Sequence, residues 1–91
     1  KMEYSELIED IIYYLEKTGW YEEVTAEENE YDISFFLEAG GDEVSSIIKK
    51  MEYMILDSGH KFHEIELVDQ KISFRYEDFY EYEFVLIKNR Y

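Results

Sequence analysis

Apolar residues at Leu7, Ile8, Ile11, Ile12 and Leu15 follow the i, i+1, i+4 rhythm of an amphipathic helix. The rhythm returns at an offset of 40 residues: Ser5 to Gly19 (SELIEDIIYYLEKTG) aligns without a gap on Ser45 to Gly59 (SSIIKKMEYMILDSG). Leu7 then matches Ile47, Ile8 matches Ile48, Ile11 matches Met51, Tyr13 matches Tyr53 and Leu15 matches Ile55. Two helices sharing one apolar face are predicted. Ser5 is placed to cap the first, and Gly19 and Gly59 are the residues that can end each helix in the left-handed conformation. The second helix is expected to begin at Asp42, just after Gly40-Gly41.

Beyond each helix the period shortens to two. A short extended stretch is followed by a polar turn, Glu28-Asn29-Glu30 and then Asp69-Gln70, and by a strand carrying Ile-Ser-Phe, at residues 33–35 and 72–74. A last strand, Phe79 to Lys88, is set off by a turn at Glu77-Asp78. The pattern predicts one domain over residues 1–91, of α+β class. It is a two-layer sandwich made from a tandem α-β-β repeat, with two helices packed on one face of a four- or five-stranded, mainly antiparallel sheet.

Alternation assigns the two faces of that sheet. Tyr31, Ile33, Phe35, Leu37, Ile65, Leu67, Ile72, Phe74, Tyr76, Tyr80, Tyr82, Phe84 and Leu86 are expected to meet the helices. Asp32, Phe36, Glu38, Phe62, Glu64, Glu66, Arg75, Phe79, Glu81, Glu83, Val85 and Ile87 are left for the open face. Glutamates two apart on a strand stand roughly 6.8 Å from one another, the order of the spacing of phosphates along a nucleic acid strand. An antiparallel sheet with one wet face also alternates apolar and charged residues for solvation alone, so the row by itself has two readings.

Charge tilts the balance toward the phosphate-like row and leaves solvation as the alternative. The chain of 91 residues carries 23 Asp plus Glu against 9 Lys plus Arg, a formal net charge of −14, far beyond the magnitude of roughly 2 to 8 that keeps a small domain soluble. Residues 1–41 hold 12 acids and 2 bases, residues 42–91 hold 11 acids and 7 bases, and Glu22 to Asp32 (EEVTAEENEYD) holds six acids and no base. Such a field repels nucleic acid and anionic membrane and attracts a basic protein. The expected partner-binding residues are Glu64, Glu66, Glu81 and Glu83 in rows on the open face, with Glu23, Glu27 and Asp32 of the hairpin second. Phe79, Val85 and Ile87 form the candidate dimer interface.

Catalytic constellations do not assemble. Carboxylate pairs are too abundant to single one out, Ser5, Ser45 and Ser58 are helix-end residues, and no nucleophile, base and oxyanion donors come together, so no enzyme is expected. His60 and His63 fall three apart, which on a strand sends them to opposite faces and argues against a metal site; His63 is expected to be partly buried and hydrogen-bonded. A cofactor is not expected: Ala39 to Asp42 (AGGD) precedes a helix, but Asp42 and Glu43 would repel a phosphate there. With no cysteine, no apolar run near the roughly 18 residues of a membrane span and no leader in KMEYSELIED, the expected place is the cytoplasm, the host's if the protein is viral.

A small, cysteine-free, acidic chain that opens MEYSELIEDII and closes on FYEYEFVLI resembles the small inhibitors that viruses deploy against CRISPR effectors and restriction enzymes. In style it is most similar to the acidic dimeric type I-D anti-CRISPR family of rod-shaped archaeal viruses. The resemblance is one of size, charge and element order and carries no individual residue over. It implies stoichiometric inhibition, with an acidic surface occupying the basic nucleic-acid channel of a host defence protein. The alternative from the residues themselves is a cytoplasmic interaction protein, such as a secretion chaperone or an immunity protein, that recognises one basic partner by shape.

Overall fold

The computed structural model describes residues 3–19, 21–40 and 44–88, apart from the side chain of His63. Two units follow one another: α1 (Tyr4–Thr18), β1 (Glu22–Glu28) and β2 (Asp32–Gly40), then α2 (Val44–Asp57), β3 (Phe62–Ile72) and β4 (Phe79–Lys88). The α-β-β order is thus used twice. All neighbouring strands are antiparallel in the order β1-β2-β4-β3, so the two second strands lie side by side at the centre. That order is what a two-fold axis between β2 and β4 would generate from two like units.

The helical repeat carries the core. Leu7, Ile11 and Leu15 of α1 and their counterparts Ile47, Met51 and Ile55 of α2 are all fully buried, against Ile33, Phe35 and Leu37 of β2 and Tyr82, Phe84 and Leu86 of β4. Burying an aliphatic or aromatic side chain of this kind is worth about 1.5–3 kcal/mol, which is why one stripe per helix suffices to fix both helices on the same face of the sheet. Matched Tyr13 and Tyr53 lie on the outer surfaces of the helices, exposed.

Helix ends differ from the sequence expectation at two points. Glu3 rather than Ser5 occupies the N-cap of α1, without a side-chain bond to the backbone, and Ser5 lies in the first turn. Gly59 adopts the left-handed conformation (φ 83°), whereas Gly19 is extended. What requires glycine at position 19 is room: a Cβ there would stand 2.4 Å from the Tyr21 ring. Tyr21 is buried, and its hydroxyl accepts from Lys50 Nζ of α2 at 3.1 Å. The expected start of α2 at Asp42 lies outside the described residues.

Among the described residues the sheet has four strands, and of the second Ile-Ser-Phe only Ile72 lies in one of them. β3 continues through Asp69-Gln70, the expected turn, and ends at Ile72. Ser73 instead opens the loop that joins β3 to β4. Its Oγ accepts from the amides of Arg75 (3.0 Å) and Tyr76 (3.1 Å), and its own amide donates to Phe79 O (3.0 Å). A serine hydroxyl offers the backbone a turn in place of a ladder, and that preference overrides the apolar alternation around it. Ile72 and Phe74, expected in the core, are therefore 75 % and 96 % exposed. Tyr31, also expected inside, is exposed in the β1–β2 turn; Tyr76 and Arg75 belong to the loop rather than to a strand. Phe62, expected on the open face, packs against the core because the register shifts between Phe62 and Glu64. The Glu77-Asp78 turn and the bounds of β4 are as expected, with Asp78 at φ 64°.

Candidate functional site

The open face of the sheet is written by its register. From the β1–β2 turn upward, Asp32 stands beside Ile87 and Glu64; Glu27 beside Ser34, Val85 and Glu66; Thr25 beside Phe36, Glu83 and Asp69; and Glu38 beside Glu81 and Lys71. The seven expected partner-binding acids are thereby located. Glu27, Asp32, Glu64, Glu66, Glu81 and Glu83 share this face through their pairings, and Glu23 reaches it through a bulge. Phe79, Val85 and Ile87 are half-buried on β4, which is a central strand, so its face and not its edge is what it offers.

Two bulges bend the outer strands toward one end of the face. In β1 the register shifts between Glu22 and Thr25, with Glu23 at φ 55° and Val24 turned into the core; in β3 it shifts between Leu67 and Asp69. A bulge adds a residue, increases the local twist and re-aims a side chain. Between the two bulges, and below the Ser73–Asp78 loop, lies a cleft of about 310 Å³ lined by Glu23, Phe36, Glu38, Asp69, Lys71, Arg75, Glu81 and Glu83 among others.

Glu38 is the anchor of this cleft. It is 4 % exposed, accepts a short hydrogen bond from Ser73 Oγ and faces Arg75 Nε at 3.4 Å. Arg75 also reaches Glu23 on β1 (3.5 Å), so the loop crosses over the ends of β4 and β2 to the far edge. Both pairs are long, and the Glu23 pair, exposed on both sides, is limited to about 0–1 kcal/mol. Beside Glu38, Glu81 stands directly opposite in the register, a like-charge pair that is unfavourable by itself. Among the described residues Glu81 Oε2 is closed off from solvent with no hydrogen-bond partner, a condition that costs about 1–3 kcal/mol. Partial burial, then the negative charges of Glu22, Glu23 and Glu38, raise the Tyr76 phenol above its usual pKa, with Arg75 pulling the other way.

Sequence reasoning missed this cleft. Glu38 and Arg75 were expected on the open face only as members of an alternating row, and Ser73, Asp69 and Lys71 had no role. The one signal was Ser73 followed at Arg75 by a base in an acidic chain.

Elsewhere, buried His60 stacks on Tyr4 at 4.3 Å and ties the N-terminus of α1 to the α2–β3 connection. The side chain of His63 lies outside the described residues. Among the described residues no group of three potential ligands is placed to hold a metal, and no helix is long and apolar enough to cross a membrane. Comparison with known proteins finds no family model, no curated protein and no solved structure that matches the chain.

Proposed function

We propose that this protein is a non-enzymatic acidic inhibitor, of viral origin, that binds the basic nucleic-acid-binding surface of a host defence protein by imitating the charge of the nucleic acid. The observation that carries the reading is the gathering of the seven acids on one helix-free face, in a chain of net charge −14. Solvation alone calls for mixed signs on such a face; here carboxylates outnumber bases in every row, and the rows have the repeat of a strand. The second reading, an acidic chaperone or immunity protein that recognises one partner by shape, is favoured by the recessed cleft, which a uniform phosphate imitation does not need.

Long-range attraction drives such binding, so the on-rate falls steeply as ionic strength rises past about 0.15 M, where the Debye length is about 8 Å. The test is displacement: added to a basic effector holding its DNA or RNA, the protein releases the nucleic acid. Reversing Glu64, Glu66, Glu81 and Glu83 to Lys abolishes the release while the circular dichroism spectrum is unchanged. A folded variant that displaces as well as the parent leaves the face with solvation as its only task.

A further inference from the structure

We propose that the cleft beneath the Ser73–Asp78 loop is a guanidinium site: it receives one arginine side chain of the basic partner, and Arg75 is the internal arginine that the incoming one replaces. The inference rests on the functional reading above for its partner but on the cleft for its chemistry.

Size sets the class of occupant. A volume of about 310 Å³ is at the low end for small-molecule sites, room for one long side chain rather than for a peptide segment. Charge sets the sign. Five carboxylates, Glu23, Glu38, Asp69, Glu81 and Glu83, face two bases, Lys71 and Arg75, around the cleft, an excess of three negative charges.

Shape and chemistry then select guanidinium over ammonium. Phe36 lies across the ladder from Glu83, and Glu81 precedes it by two on the same face. A planar cation can lie on the Phe36 ring while its N–H groups fork to the Glu81 and Glu83 carboxylates, a geometry that a point-like ammonium does not fill. Glu81 carries the independent sign of an absent donor, since its Oε2 is occluded without a hydrogen bond among the described residues; rotating the side chain toward a bound guanidinium supplies one.

Arg75 shows what the site holds when empty of a partner. Its guanidinium already bridges Glu38 and Glu23 at 3.4 and 3.5 Å from an exposed loop position. The Glu23 pair, long and exposed on both sides, gives way readily to a better-oriented cation. The loop on which it rides presents Phe74 beside it, 96 % exposed, an apolar contact for whatever surrounds the entering arginine.

The experiment uses the full chain and blocked single residues, Nα-acetyl-arginine amide against Nα-acetyl-lysine amide, titrated by NMR. Arginine amide is expected to shift the amides of Phe36, Glu38, Glu81, Glu83 and Arg75 saturably, with lysine amide weaker by roughly tenfold. Glu81→Gln weakens the arginine affinity by about tenfold, the equivalent of about 1.4 kcal/mol. Arg75→Ala strengthens it by roughly threefold, since a competitor is removed. Phe36→Leu, which keeps an apolar floor, narrows the preference for arginine over lysine. Equal binding of both amides, shifts spread over all acidic positions, or unchanged affinity in folded Glu81→Gln overturns the site. Nucleic-acid displacement is measured on the same variants: arginine binding without displacement sinks the inhibitor reading and keeps the site, and displacement without arginine binding does the reverse.

Discussion

At the loop end of the open sheet face Glu38 is buried beneath Ser73 and Arg75, whereas at the turn end Glu64 and Glu66 stand exposed beside Ile87 and Val85. The residue type is the same, and both ends belong to one antiparallel sheet. What differs is the cover. Bulges in β1 and β3 and the returning loop make the loop end concave, and there a carboxylate becomes a structural anchor and a wall of a cleft. Without cover, the turn end is a shallow apolar stripe with acids to either side. A row of glutamates is therefore not one kind of surface; its chemistry depends on whether the neighbouring backbone closes over it.

The largest expected effect lies beneath both ends. Phe84 is fully buried under the centre of the sheet, and Phe84→Ala should cost about 3–5 kcal/mol in denaturant unfolding. If the fold is one cooperative unit, probes at the turn end and the loop end report the same midpoint; separate midpoints would divide the face into independently stable halves.

Reversing charge in pairs sharpens the contrast. Glu64→Lys with Glu66→Lys and Glu81→Lys with Glu83→Lys each change the net charge by four, from −14 to −10. Long-range steering should suffer alike in both, so their on-rates for a basic partner fall together by roughly tenfold at low salt. Only the second pair should also raise the off-rate, because only it lines the cleft. Equal off-rates in stopped-flow dissociation would mean that the two ends bind in the same way.

Salt separates self-association from partner binding. If Val85 and Ile87 form a dimer patch, sedimentation at micromolar concentration gives twice the 11.1 kDa chain mass, and Ile87→Lys returns the monomer by placing a charge in an apolar contact. Glu64, Glu66 and Asp32 flank this patch, so a two-fold contact brings acids together; the dimer should strengthen as salt rises while binding to a basic partner weakens. A monomer at every concentration and salt tested ends the dimer idea.

The smallest effect is a pH dependence at the loop. Tyr76 has its pKa raised in the folded chain, so the fold binds the phenolic proton more tightly than the unfolded chain does. Its contribution to stability is full below the unfolded value of about 10 and is lost as pH rises through the folded value. Tyr76→Phe should remove this part of the decline in unfolding midpoint between about pH 9 and pH 11; an unchanged decline would assign it to other tyrosines.

Periodicity alone determined the helical repeat and its six buried apolar positions, because a stripe spaced at 3.6 residues has only one way to be removed from water. It also determined β4 to the residue and the sharing of one open face by Asp32, Glu64, Glu66, Glu81 and Glu83, since a strand in a two-layer fold turns alternate residues inward. Tertiary structure decided the rest. Nothing in Glu22-Glu23-Val24 or Leu67-Val68-Asp69 marks a bulge, because neither has glycine and the extra residue exists only relative to the partner strand. Ser73 turned the chain where the apolar pattern continued, since its hydroxyl satisfies two backbone amides that a ladder would otherwise have held. Glu38 was one glutamate among 23 acids until that loop folded back over it. Burial and partnership belong to the assembled backbone, and a local spacing cannot encode them.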